Sequence, residues 1–161
     1  MQDDRAMRQA ASMRHYDQQT KEAEHRLGFA IGFAQSGLQA LTLVNGGALV
    51  ALFTFIGSAN VVRFDFQCIW TAFAAFAAGL VCNMAAYLAA HLSQDQFYLT
   101  AQYSAWKVED EMIGAAARHD PRAPWRRGQN AQIAAIAAAI LSLICFLIGT
   151  GFALGGVLAR P

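Results

Sequence analysis

The sequence predicts an all-α integral membrane protein with three transmembrane helices and amphipathic cytoplasmic helical extensions. Two observations carry that fold class. First, residues 27–62, 66–90 and 128–159 contain no Asp, Glu, Lys, Arg or His. Each stretch exceeds the roughly 20 apolar residues that a helix needs to cross a bilayer. Helices are required because a chain in lipid has no water to satisfy its backbone N–H and C=O groups. Second, the basic residues are unevenly placed. Five of the twelve, Arg5, Arg8, Arg14, Lys21 and Arg26, precede the first apolar run, and Lys107, Arg118, Arg122, Arg126 and Arg127 lie between the second and third. Only Arg63 and Arg160 lie elsewhere. By the positive-inside rule the N-terminus and the long second connection face the cytoplasm. The first loop and the C-terminus then face out, and three crossings satisfy that odd count.

Composition agrees with this class. The 161 residues are 56% hydrophobic and only 14% charged, against about 25% charged in ordinary soluble domains. A formal net charge of +1 provides no pull toward nucleic acid. The first 26 residues are polar and lack a short apolar core, so the first span is expected to serve as its own uncleaved insertion signal. A Met-Gln start and an Ala-Arg-Pro end predict neither a myristoyl nor a prenyl anchor.

Taken in order, residues 1–36 read as an N-terminal amphipathic helix leading into the membrane, and 37–57 as the first span. No proline precedes Pro121, so nothing there forces a helix to break. Met13, Tyr16, Thr20, Ala23, Leu27, Ala30, Ala34, Gly37, Leu41, Val44, Ala48 and Ala51 recur at alternating spacings of three and four, which predicts a packed seam. Residues 58–67 form a short external loop, so spans one and two make an antiparallel hairpin. The second span covers 68–91, with Trp70 at the outer headgroup level.

Residues 92–130 read as an amphipathic cytoplasmic helix followed by a Pro/Arg linker. Tyr98, Ala101, Ala105, Val108, Met112 and Ala115 predict its apolar face, with Asp95, Gln102, Glu109 and Asp110 on the other side. This helix either pairs with the N-terminal helix as a stalk or lies along the membrane surface. A straight run to Arg118 would extend about 40 Å at helical rise. A fully extended return over residues 119–130 spans at most about 41 Å. So taut a linker is unfavourable, and the segment is expected to tilt, bend near Ser93 or Gly114, or fold back. Residues 131–158 form the third span, and 159–161 the external C-terminus.

Candidate site residues are few. Asn45 and Asn83 lie at similar depth in antiparallel spans, and an unpaired amide in hydrocarbon is costly. They are expected to hydrogen-bond across the hairpin or to another subunit. Gly46 and Gly47, and the GxxxG pair Gly151 and Gly155, mark faces on which helix backbones approach closely. Arg122, Trp125, Arg126 and Arg127 precede the third span and suit anionic lipid headgroups or a partner protein.

No span carries Asp, Glu, Lys or Arg, and His91 only borders the bilayer at the cytoplasmic end of the second, whereas proton relays and ion-coupled carriers use ionisable groups facing the bundle interior. No paired carboxylates, Ser-His-Asp arrangement or GxSxG turn is visible, so no catalysis is expected. Cys68, Cys82 and Cys145 form no CxxC pair and read as small packing residues. His15, His25, His91 and His119 form no i, i+4 pair, so neither metal, haem nor other cofactor is expected.

The reading that follows is a non-catalytic membrane subunit, self-associating or accessory to a larger complex in the cell membrane. Its partners are the bilayer, anionic lipid headgroups, and other membrane subunits or copies of itself, not nucleic acid. The first alternative is a holin-like or toxin-effector pore with Gln39, Asn45 and Asn83 lining a lumen. The second is a small channel or transporter for a neutral solute.

Overall fold

In the computed structural model, residues 2–58, 65–112, 114, 116 and 119–158 are described, without the side chains of 2–20, 22–24, 26, 27, 30, 58 and 158. The regular elements among them are three α-helices, α1 (Gln2–Ser58), α2 (Phe66–Met112) and α3 (Arg122–Leu158). Each contains a stretch long and apolar enough to cross a membrane: Ile31–Gly57, Phe66–Met112 and Arg122–Val157. The chain is thus a multi-pass helical membrane protein by the length and composition of its helices. Most of the 58–67 loop, Arg118 and the 159–161 end lie outside the described residues, as do the seam side chains from Met13 to Ala30.

The chain divides into two compact units, residues 1–39 and 40–161. In the first, Gly28, Gly32 and Ser36 recur every four residues on the surface of α1, beside the exposed rings of Phe29 and Phe33. In the second, the remainder of α1 packs with α2 and α3. Its apolar core is Leu52, Ile69, Ala72 and Phe76, flanked by Ala48, Leu49, Phe73, Phe146 and Ala153.

The α2–α3 pair follows one simple rule. Small residues stand every seven positions on both helices: Ala72, Gly79, Ala86 and Ser93 on α2, and Gly128, Ala135, Ser142, Gly149 and Gly156 on α3. All are buried except the half-buried Ala135. The two lines run antiparallel and face each other. Ser142 Oγ donates to Gly79 O at 2.8 Å, and Ser93 Oγ donates to Gly128 O at 3.0 Å. The same register places Ala86 opposite Ala135 and Ala72 opposite Gly149. At the far end Asp65 N donates to Gly156 O at 3.2 Å, while Asp65 Oδ1 accepts from Gln67 N at 2.9 Å and caps α2. A seven-residue repeat gives a left-handed supercoil. In lipid, where apolar surface supplies no drive to associate, small residues let the backbones approach within reach of these bonds.

The pairing is also nearly two-fold. Residues 79–93 and 128–142 share seven of fifteen identities, in a pattern G-x5-AA-x2-AA-x-LS. Each helix therefore presents a glycine carbonyl to the other helix's serine, and the Ala86–Ala135 layer sits at the centre. An isologous contact of this kind satisfies both partners with one set of side chains.

The return between α2 and α3 departs from the expected linker. α2 passes Ser93 without a break and ends at Met112. The chain then turns at Gly114, whose φ of 69° is a conformation costing other L-residues roughly 1–2 kcal/mol. It comes back along α2, stacking His119 on Tyr103 at 4.8 Å and beside Trp106 at 5.1 Å. Asp120 Oδ1 accepts from Arg122 N at 3.0 Å and starts α3 there, although the sequence reading begins the span at residue 131. Pro121 and Pro124 do not oppose this, because prolines are tolerated in a first helical turn, whose N–H groups have no intrahelical partner. The return is short because residues 122–130 climb as helix beside α2.

Two predicted faces are rotated. On α1 the enclosed line runs through Asn45, Ala48, Leu49 and Leu52, whereas Val44 is 40% exposed and Ala51 is also exposed. Alanine on several faces makes the apolar pattern permissive, and burying the Asn45 amide selects the orientation. On α2 beyond Ser93 the predicted apolar face is outside: Tyr98, Val108 and Met112 are 65%, 51% and 82% exposed. Asp110, predicted on the polar face, is 1% exposed. α3 and the returning chain cover the opposite side of α2, where Phe97 packs on Gly128.

Candidate functional site: a buried polar layer

Asn45, Asn83 and Ser142 have no solvent exposure, and with Thr42 and Gly79 they join all three helices at one level. Asn45 Nδ2 donates to Leu41 O at 3.0 Å and to Ser142 Oγ at 3.3 Å. Ser142 passes the link on through its own bond to Gly79 O. A hydrogen-bond chain thus runs from α1 through α3 to α2. Asn83 Nδ2 closes the α1–α2 side by donating to Thr42 Oγ1 at 2.6 Å. Each predicted amide therefore reaches a hydroxyl on a neighbouring helix.

The carbonyl end of Asn45 explains the glycine at position 79. Asn45 Oδ1 is buried with no hydrogen-bond partner, and it lies 2.5 Å from where a Cβ on residue 79 would stand. Only glycine leaves that space. One Cα–H of Gly79 points along the missing Cβ direction, toward this oxygen, as in the weak Cα–H···O contacts of helix–helix interfaces.

The predicted glycines behave differently. Gly46 is half-buried, and Gly47, Gly151 and Gly155 are exposed; a Cβ on any of the four would meet nothing within 4 Å. They are not the close-approach points within this chain. That role belongs to Gly79, Gly128, Gly149 and Gly156, where an added Cβ would lie 2.5, 3.0, 2.8 and 3.0 Å from its nearest neighbour. Arg122, Trp125, Arg126 and Arg127 are all exposed on the first two turns of α3.

Sequence reasoning found the two amides and missed Thr42, Gly79 and Ser142. The seven-residue spacing of Gly, Ala and Ser on both later helices was the available signal. Chemically, the layer offers amide and hydroxyl groups, with no ionisable side chain among Thr42, Asn45, Gly79, Asn83 and Ser142. It can hold helices in register but contains neither a nucleophile–base pair nor a charged stabiliser. Among the described residues no group of three or more His, Cys, Asp or Glu side chains is placed to hold a metal ion. No family model, curated protein or solved structure matches the chain.

Proposed function

We propose that this chain is a non-catalytic integral membrane subunit that associates with copies of itself or with another membrane protein complex. The observation that carries the reading is the apolar stripe on α2 beyond Ser93. Tyr98, Val108 and Met112 face outward there, in a segment that also carries the exposed Asp95, Lys107, Glu109 and Glu111. Scattered exposed apolar residues are ordinary, whereas a contiguous apolar stripe rimmed by charge marks an interaction surface. Gly46, Gly47, Gly151 and Gly155, unused inside the chain, offer small faces for a neighbouring helix in lipid.

In this reading the basic residues set the orientation, with the N-terminus and the α2–α3 return on the cytoplasmic side of the cell membrane. Arg122, Trp125, Arg126 and Arg127 lie at the headgroup level and hold anionic lipid, each basic residue contributing about 1 kcal/mol. The polar layer acts as a lock. A pore or solute path would need Asn45 and Asn83 wetted, and both are enclosed while Gln39 is exposed.

Mass determination of the intact complex in mild detergent tests the proposal. A species heavier than one chain is expected, and Val108→Asp with Met112→Asp should reduce it to the monomer. A monomeric wild type that copurifies with no other polypeptide overturns the reading.

A further inference from the structure

We infer that one face of α1 binds an anionic phospholipid, with its phosphate at Lys21 and His25 and one acyl chain along Gly28, Gly32 and Ser36. The site is independent of the subunit role proposed above and lies within the first compact unit.

The face is built by spacing. Lys21, His25, Gly28, Gly32 and Ser36 follow one another at steps of four, three, four and four, so they stand on one side of the helix. All five are exposed and line one open groove of about 1040 Å³. Phe29 and Phe33, 67% and 84% exposed, form its flank. The His25 ring packs edge-on against Phe29 at 4.8 Å, which keeps the imidazole at the head of the groove. An added Cβ at Gly28 or Gly32 would meet nothing within 4 Å. Packing within the chain therefore does not require glycine there, although glycine inside a helix costs stability. What the glycines leave is room beside the helix.

Polarity along the groove selects an amphiphile. The apolar span of α1 begins at Ile31. Lys21 and His25 precede it, and Gly32 and Ser36 lie within it. Lys21 offers an ammonium with three donors and His25 a ring N–H, and no acidic side chain is among the described residues lining the groove. A phosphate fits the first part and hydrocarbon the second, as in the basic pockets that hold lipid headgroups. Depth points to an acyl chain rather than a helix. The groove ends at Gly37, which is about 13.5 Å past Gly28 at helical rise. One leaflet supplies about 15 Å of hydrocarbon, half the core thickness. A partner helix would need the face along the whole span. Charge also opposes a second copy: the membrane gives both chains one orientation, so a symmetric contact on this face sets Lys21 against Lys21.

The test uses the full-length protein in phosphatidylcholine nanodiscs holding a trace of phosphatidylglycerol with a diazirine on one acyl chain. After irradiation, peptide mapping should place adducts on residues 28–37. The same probe with a choline headgroup should label that segment at least about tenfold less, the scale of losing two basic contacts. Excess unlabelled phosphatidylglycerol should suppress the adducts, whereas glycerol 3-phosphate, the anion without its tails, should not. Lys21→Gln with His25→Gln, and separately Gly28→Leu, should each lower labelling of the segment by at least about tenfold, while labelling of residues 131–157 stays unchanged. Equal labelling by the choline probe, competition by glycerol 3-phosphate, or wild-type labelling in either variant would overturn the site. So would a chain dimer that Gly28→Leu dissociates, which would assign the face to a second copy.

Discussion

Replacing Gly79 with alanine tests the packing argument at its tightest point. The new Cβ would stand 2.5 Å from Asn45 Oδ1, 3.0 Å from its Cγ and 3.2 Å from its Nδ2. The amide cannot simply swing aside, because its Nδ2 is held by Leu41 O and Ser142 Oγ. Either α1 moves away from α2 or the Asn45–Ser142 bond breaks. Overpacking of this kind costs about 1–3 kcal/mol. The lost interhelical bond adds about 0.6–1.7 kcal/mol, and the better helix propensity of alanine returns about 1 kcal/mol. The net expectation is a destabilisation of about 1–4 kcal/mol, read from reversible unfolding in mixed micelles as the denaturing detergent fraction rises. Gly32→Ala, with nothing within 4 Å of its Cβ, is the control and should be neutral or up to about 1 kcal/mol more stable. In an Asn45→Ala background the Gly79→Ala cost should largely vanish, a coupling of at least about 1 kcal/mol between touching residues. Equal effects of Gly79→Ala and Gly32→Ala, or strict additivity with Asn45→Ala, would refute the reasoning.

Three further outcomes follow from the same geometry. Ser93→Ala should cost about 0.6–1.7 kcal/mol and Ser142→Ala about twice that, because Ser142 both donates to Gly79 O and accepts from Asn45 Nδ2; the two serine–glycine bonds lie 14 residues apart on each helix, so the double variant should be additive. Gly114→Ala should cost about 1–2 kcal/mol by forcing an alanine to φ near 69°, measured in the same unfolding assay. Asp95→Ala should change stability by less than about 0.5 kcal/mol, because its 3.9 Å pair with His91 joins side chains that are 58% and 76% exposed.

The number of helices was legible because charge is excluded from three long stretches, a signal that needs no knowledge of packing. The unbroken course of α1 was legible from the absence of proline. Which face of each helix turns inward was not. Hydrophobicity separates core from water, but in lipid both faces of a span are apolar, so the seam predicted through Val44 and Ala51 lay about one position from the enclosed line through Asn45 and Leu52. Small size and hydrogen-bonding capacity decide packing there, and the sevenfold recurrence of Gly, Ala and Ser on α2 and α3 carried that information. The burial of Asp110 was illegible for a related reason: periodicity separates an apolar face from a polar one beyond Ser93, and it is the polar face that carries the 1% exposed carboxylate. Prolines 121 and 124 suggested a linker because their tolerance at a helix start depends on where Asp120 places the cap.

Flux across sealed liposomes containing the purified protein is the most direct measurement of the central claim, that the polar layer at Asn45, Asn83 and Ser142 locks helices and carries nothing. Vesicles loaded with a small fluorescent dye and held at a potassium diffusion potential should retain both, with wild type and with Asn45→Leu alike, while Asn45→Leu lowers stability in the unfolding assay. Leakage through the wild type that Asn45→Leu abolishes would show water in that layer and contradict the account.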